Sequence, residues 1–251
     1  MKTNYGLAQW AQDWLTMPYW YGCVCYQCTD ELLSRKAKQY PKHYTSERME
    51  RYESDIAAGK WAADCIGLAK GYMWWDAQKG GARYASNGCP DLSANGMHYA
   101  AEERGDMDTL PELPGIMLWK SGHAGIYIGD GWAVEERGFD YGCVKTKVKE
   151  RGWQGWYKLP GLTYSDQDDG QGRETPPFKV EREEETAQTG DIIITGERVN
   201  LRYGPGTDYA AARTVSKGTV LHALDNPDGW RAVKSDGGVR WVSPKYSEVV
   251  V

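Results

Sequence analysis

Residues 114 to 138 read PGIMLWKSGHAGIYIGDGWAVEERG, two runs of apolar and aromatic residues on either side of Gly129-Asp130-Gly131. Ala124, Ile126 and Ile128 alternate with His123, Gly125 and Tyr127, which is the period of a half-buried strand, and the Gly-Asp-Gly signal marks a hairpin. Trp132 and Val134 must join the two isoleucines on the apolar face. Pairing 128 with 132 and 126 with 134 achieves this with a three-residue loop and sets Glu135 opposite Gly125, diagonal to His123. A two-residue turn at Asp130-Gly131 would instead turn Glu136 toward the histidine. It would also place Glu135 among isoleucines, at a desolvation cost on the order of several kcal/mol unless paired. The pattern selects Glu135.

Outward from this hairpin, GIMLW before it and CVKTKV and GWYKL after it read as further short strands. Upstream of Pro114 the spacing is helical. Leu7, Trp10, Ala11, Trp14 and Leu15 share one face, Thr29-Asp30-Glu31 opens a second helix, and Met49, Tyr52 and Ile56 mark a third that Gly59 stops. A fourth starts near Asp64 and runs through Trp75, and Ser93 to Arg104 forms a fifth. Helices first and an antiparallel sheet after describe an α+β domain, assigned to residues 1–163. The last sixty residues hold only short strand-like runs (RVNLR, TVLHAL, WRAVK, VRWVS, SEVVV) broken by Gly and Pro, the pattern of a small all-β barrel over 191–251. Between them, Thr163 to Gly190 carries eight acidic residues against three basic ones, Pro176-Pro177 and no apolar periodicity. This describes an acidic linker over 164–190.

The chain of 251 residues has a formal net charge of -5 and no clustered excess of Lys and Arg, so nucleic acid and anionic membranes are not expected partners. No window reaches the ~18 consecutive apolar residues of a membrane span. The amphipathic N-terminus is not a basic run followed by an apolar one, so no signal peptide is expected. Two Phe against 12 Trp and 17 Tyr favour side chains with an apolar body and a polar tip, as sugar- and peptide-binding surfaces use. A monomer is expected.

With no signal peptide visible, the six cysteines are expected as free thiols. Cys25-x2-Cys28 followed by His43 is half of a zinc pattern with no second His, so thiols are preferred to a metal site. Cys65, in WAADCIGLAKGYMWW (61–75), differs because it begins a helix. Unpaired N–H groups and the helix dipole there lower a thiol's pKa, and the same N–H groups stabilise an oxyanion. Alone, a cysteine there is more often a small buried residue. Paired with His123, it suggests nucleophilic catalysis, with Glu135 as the carboxylate that orients the imidazole and stabilises imidazolium.

PYWYG (18–22), DCIGL (64–68), PGIMLW (114–119), GHAGIYIGDG (122–131) and the VEERG segment resemble the NlpC-type cell-wall cysteine peptidases over most of residues 1–162. The resemblance implies a papain-like α+β fold and cleavage of peptidoglycan peptide stems, typically after a D-isoglutamyl residue. By position it makes Cys65 the nucleophile, His123 the base and then the acid, and Glu135 the orienter. It places Tyr19, Asp64, Ile66 and Gly67 at the substrate. Ile66 stands where the family usually has Ser, and Glu135 where it more often has His or a neutral amide. The segment holding Cys23, Cys25 and Cys28 is additional to the core motif.

The C-terminal run VNLRYGPGTDY (199–209), with KGTVL, Gly229-Trp230 and WVSPKY (241–246), resembles a bacterial SH3-like domain, a family that binds cell-wall peptides. Arg240 stands where Gly is common. Together the two resemblances imply a peptidoglycan hydrolase that needs no cofactor and acts on the bacterial wall, as a phage or prophage lysin or as an exported mature form. A wall amidase with the same Cys/His chemistry and a non-catalytic wall-binding protein are the alternatives.

Overall fold

The structure, a computed structural model, describes residues 1–177, 191–202, 206–207, 211–223, 230–235 and 238–249. The chain divides into two compact units, Met1–Phe178 and Lys179–Val251.

In the first unit the described helices are α1 (Asn4–Asp13), α2 (Asp30–Gln39), α3 (Met49–Ala57), α4 (Gly67–Trp74) and α5 (Ala94–Ala100). The side chains of Thr3, Thr29 and Ser93 accept from the amides of Gly6, Leu32 and Gly96, capping α1, α2 and α5 at about 1 kcal/mol each. All eight residues of α4 are buried, Lys70 among them, so this helix runs through the core. The expected fourth helix stops at Trp74 because Trp75 turns extended. Here β3 (Trp75–Asp76) pairs with β4 (Gly81–Ala82), just as β1 (Tyr26–Gln27) pairs with β2 (Trp61–Ala62). The fifth helix likewise ends at Ala100, before a strand at Arg104.

The main sheet is antiparallel with six strands, β5 (Arg104–Asp106), β6 (Met117–Lys120), β7 (His123–Gly129), β8 (Trp132–Glu136), β9 (Cys143–Lys147) and β10 (Gly155–Tyr157), in the order β5-β10-β6-β7-β8-β9. Leu7, Trp10, Trp14, Leu68, Tyr72 and Met73 from α1 and α4 pack with Met117, Ile126, Val134 and Tyr157 of the sheet. Ile116, Leu118, Tyr127, Ala133 and Trp153 form a separate cluster. A small helical lobe, built on Trp20, Cys28, Leu32, Tyr44, Tyr52 and Ala62, has its own core.

The β7–β8 hairpin departs from the expected loop. Ile126 pairs with Val134 and Tyr127 with Ala133, but Gly129, not Ile128, pairs with Trp132. Asp130 (φ 54°) and Gly131 (φ 72°) are both left-handed, as a two-residue type I′ turn requires. A bulge at Ile128 absorbs the extra residue, so the short turn and the register of residues 126 and 134 coexist.

The first part of the expected linker is laid against the first unit. Thr163 bridges Thr3 in parallel, Ser165 N–H donates to Asn4 Oδ1 (3.0 Å), and Thr3 Oγ1 donates to the Gln171 carbonyl (2.8 Å). Tyr72 OH donates to the Gly172 carbonyl (2.6 Å), and Lys2 pairs with Glu174 (2.9 Å). This attachment satisfies polar groups of the N-terminal residues and Tyr72 without requiring apolar residues, so hydropathy does not register it. Residues 178–190 of that segment lie outside the described residues.

The second unit holds β11 (Asp191–Ile194), β12 (Arg198–Arg202), β13 (Ala211–Ser216), β14 (Val220–His222), β15 (Arg231–Ser235), β16 (Gly238–Val242) and β17 (Ser247–Val249). They form two small sheets, β14-β11-β17 and β13-β12-β16-β15. Ile192, Ile194, Val199, Leu201, Val215, Leu221, Val233 and Val242 share one core. Residues 203–205 and 208–210 of the VNLRYGPGTDY run lie outside the described residues.

Candidate active site

Asp64 organises the start of α4. Its Oδ1 accepts from the amides of Ile66 (3.1 Å) and Gly67 (2.6 Å), and its Oδ2 accepts from Gly22 N–H (3.0 Å). Cys65 therefore sits immediately before the helix, in the turn this carboxylate fixes. Asp64 also takes up two of the amides expected for an oxyanion hole, which leaves Cys65's own N–H as the donor at that end.

Cys65 lies close to the head of β7, where the backbone N–H groups of Ala124 and of its own neighbour Ile66 favour the thiolate. Burial pushes the thiol up to about 12, and Asp64 and Glu136 add to the rise, while the two amides oppose it. This corrects the expectation of a lowered pKa. The helix-start donors are real, but burial and neighbouring carboxyl groups outweigh them. At rest the group is a thiol, and among the described residues it makes no hydrogen bond to His123.

His123 is fixed from two sides. Its Nε2 is 2.7 Å from Glu135 Oε2, and its ring lies nearly parallel to Trp153, with centroids 5.5 Å apart and planes at 9°. Glu135 is fully buried. Its Oε1 accepts from Thr146 Oγ1 (2.7 Å) and Arg151 Nε (2.5 Å), and Oε2 accepts from Arg151 Nη2 (2.8 Å). Burial alone would raise this carboxyl, but the hydrogen bonds from Arg151, His123 and Thr146 hold it well below the usual carboxylate range. An ionised Glu135 accepts a hydrogen bond from Nε2–H, and the tautomer of His123 that this selects presents a bare Nδ1. That is the arrangement of a general base.

Residues 197–248 match the bacterial SH3 domain family. The C-terminal unit is accordingly SH3-like and all-β, beside an α+β first unit. No curated protein matches the chain. Among solved structures, the crystal structure of Ly7917 is 13% identical over 99% of this chain and 98% of that one, with a TM-score of 0.30. The crystal structure of Ly7917 with the hydrolyzing product of MDP is also 13% identical, with a TM-score of 0.25 over the same shares. Likeness at that level carries no argument about fold or activity. The residues around Cys65 and His123 described above all belong to the first unit.

The other residues singled out from sequence fall in different places. Tyr19 is half-buried and bridges Ala63, and its phenol is pushed up by burial and by Cys65 and Asp64. Ile66 is buried and reaches the wall of a cavity that Asp64 also lines. Gly67 is buried. A Cβ there would lie 1.9 Å from the Cys23 carbonyl oxygen, so its role is steric. Cys23, Cys25 and Cys28 are buried free thiols, and among the described residues no three His, Cys, Asp or Glu side chains are grouped to hold a metal. His43 stacks on Tyr21 with centroids 3.6 Å apart.

Arg151, Thr146 and Trp153 escaped the sequence reading. The signal for the first two was indirect: a buried carboxylate beside a histidine needs further donors, but nothing local names them. Trp153 had a clearer trace in Gly125, which leaves room beside the imidazole. A Cβ there would lie 2.8 Å from the Trp153 ring. Glu136, next to Glu135 and on the opposite face of β8, is fully buried with neither carboxyl oxygen hydrogen-bonded. Burial, with Asp64 adding to it, pushes its pKa well above the ordinary range.

Proposed function

We propose that the chain is a peptidoglycan hydrolase, a cysteine endopeptidase that cleaves peptide stems of the bacterial wall, with Cys65 as nucleophile, His123 as base and acid, and Glu135 as orienter. The carrying observation is the hydrogen-bonded set of Arg151, Thr146, Glu135 and His123 Nε2, at the head of the strand whose Ala124 amide favours the Cys65 thiolate. Most of residues 1–162 resemble the NlpC-type peptidases, and the match over 197–248 supports attachment to the wall.

In this reading His123 Nδ1 accepts the Cys65 proton as the sulfur attacks the scissile carbonyl. The Cys65 amide donates to the oxyanion, and the imidazolium then protonates the leaving amine to give a thioester. Water attacks the thioester with His123 as base, releasing the carboxylate and restoring the thiol. Glu135 stays ionised throughout and stabilises imidazolium. Because the thiol is protonated at rest, the histidine is needed for attack.

The deciding experiment digests purified walls of several chemotypes and identifies the products by mass. Stems cut within the peptide support the proposal, whereas stems released whole from the sugar indicate the amidase. Cys65→Ala should abolish product release while leaving wall binding intact, and thiol alkylation should do the same where chelators do not. Turnover by Cys65→Ala comparable with wild type would refute the assignment.

A further inference from the structure

A cavity of about 380 Å³ borders the small helical lobe and the start of α4, within the usual size of ligand pockets. Asp64 and Ile66, the two chain neighbours of Cys65, line it together with Lys36, Tyr40, Lys70 and Asp91. Three of its four charged side chains are already satisfied. Lys70 Nζ donates to Asp91 Oδ1 (2.6 Å) and the Leu92 carbonyl (3.4 Å), and lies 5.3 Å from the Trp74 ring centre. Asp91 Oδ2 accepts from Tyr84 OH (3.0 Å), and the Asp64 carboxylate is engaged by three backbone amides.

Lys36 differs. It is 8% exposed, its Nζ donates to the Gly22 carbonyl oxygen, and it lies 5.6 Å from the Tyr40 ring centre. Among the described residues it has no carboxylate within ion-pair distance. An ammonium carries three donors, and a buried cation without an anion is disfavoured unless a partner arrives. Two of the Lys36 donors are therefore uncommitted in the wall of a cavity that adjoins the candidate nucleophile.

We propose that Lys36 recognises a carboxylate carried by the substrate residue next to the scissile bond. The ligand class is an anionic peptide, held in a subsite formed by this cavity. The inference rests on the peptidase reading above. A glutamyl residue linked through its side-chain carboxyl keeps its α-carboxylate free a few bonds from the carbonyl under attack, and amidation of that group removes the charge. Lys36 makes the enzyme sensitive to that difference.

The test uses the full chain. L-Ala-D-isoglutamate and its amide L-Ala-D-isoglutamine are titrated calorimetrically into Cys65→Ala and into Cys65→Ala carrying Lys36→Gln. In parallel, wild type and Lys36→Gln are assayed on the two corresponding tripeptides ending in L-Lys. Lys36→Arg is the conservative rescue. The carboxylate form should bind about tenfold more tightly than the amide, as expected for a charge-assisted contact. Lys36→Gln should bring the ratio near one through the carboxylate ligand alone, Lys36→Arg should restore most of it, and the loss should appear in KM before kcat. If Lys36→Gln does not fold, Lys36→Met, which keeps the aliphatic stem beside Tyr40, replaces it. A ratio near one in the Lys36-containing protein, or one unaffected by the substitution, overturns the inference. Lys36-dependent binding without cleavage of either tripeptide would overturn the peptidase reading and leave the subsite standing.

Discussion

Replacing Arg151 by Met removes two charge-assisted hydrogen bonds, at 2.5 and 2.8 Å, from a carboxylate with no solvent exposure. Breaking a buried pair by deleting one partner costs about 3–5 kcal/mol, and the lower end applies because Arg151 is 19% exposed. A loss of about 3 kcal/mol corresponds to a melting-temperature drop of about 6–12 °C in a unit of this size. The pH dependence is more discriminating. In wild type the folded-state pKa of Glu135 is depressed, so its contribution to stability is present above the unfolded value of 4.5 and is lost only as pH falls through the folded value. Without Arg151, burial raises the folded pKa, and the carboxyl takes up a proton as the solution is acidified. The stability deficit of Arg151→Met should therefore be full at pH 8 and shrink toward pH 4. Denaturant melts of both proteins across that range measure it, with turnover recorded at each pH. A deficit constant with pH would refute the assignment of Arg151 as the group that keeps Glu135 ionised.

Glu136→Gln should act in the opposite sense. A carboxyl whose folded pKa is raised stabilises below its unfolded value of 4.5 and loses that contribution as pH rises, so the amide should gain on wild type above that pH, by at most about 1.4 kcal/mol per pH unit. Parallel stability curves would show that Glu136 ionises normally. Glu135→Gln should reduce turnover far more than Glu136→Gln in a steady-state assay, since only Glu135 contacts the histidine. Gly125→Ala should push the Trp153 ring off His123, lower kcat and destabilise by about 1–3 kcal/mol, and unchanged near-ultraviolet circular dichroism would count against it. Deleting residues 191–251 should slow lysis of intact walls but leave cleavage of a soluble stem peptide nearly unchanged. Equal losses on both would mean that the SH3-like unit helps form the substrate site.

The site was legible where one face of a strand is apolar. Ile126 and Val134 must lie on the same side, and that constraint alone aligned Glu135 with Gly125 and His123 despite a misjudged loop. The bulge at Ile128 was hidden because a two-residue turn plus one unpaired residue has the same length as a three-residue loop. Cys65 was visible as a helix-start thiol, but its ionisation depends on burial and on Asp64 and Glu136, which no local spacing reveals. Arg151 lies sixteen residues from Glu135 and in a turn, where periodicity carries no signal. β11 (Asp191–Ile194), the two-residue strands of the first unit and β5 (Arg104–Asp106) were missed because such short runs show too few alternations to count.

The first four residues behave as a keystone more than as a tail. Asn4 is fully buried, its Nδ2 donates to the carbonyls of Pro114 and Ser165, and its own carbonyl lies where a Cβ on Gly115 would have to go. The segment leading into β6, the strand beside His123, is thus braced by the opposite end of the sequence. Met1 is 79% exposed, so residues added ahead of it project into solvent. Trimming is the opposite case: loss of residues 2 to 4 uncovers Tyr72 OH and the Pro114 carbonyl together, and loss of the segment up to Glu174 removes the Gly172 partner of Tyr72 OH. A self-sufficient first unit therefore extends past residue 163 to Glu174 at least, and accepts fusions at its front edge but no shortening there.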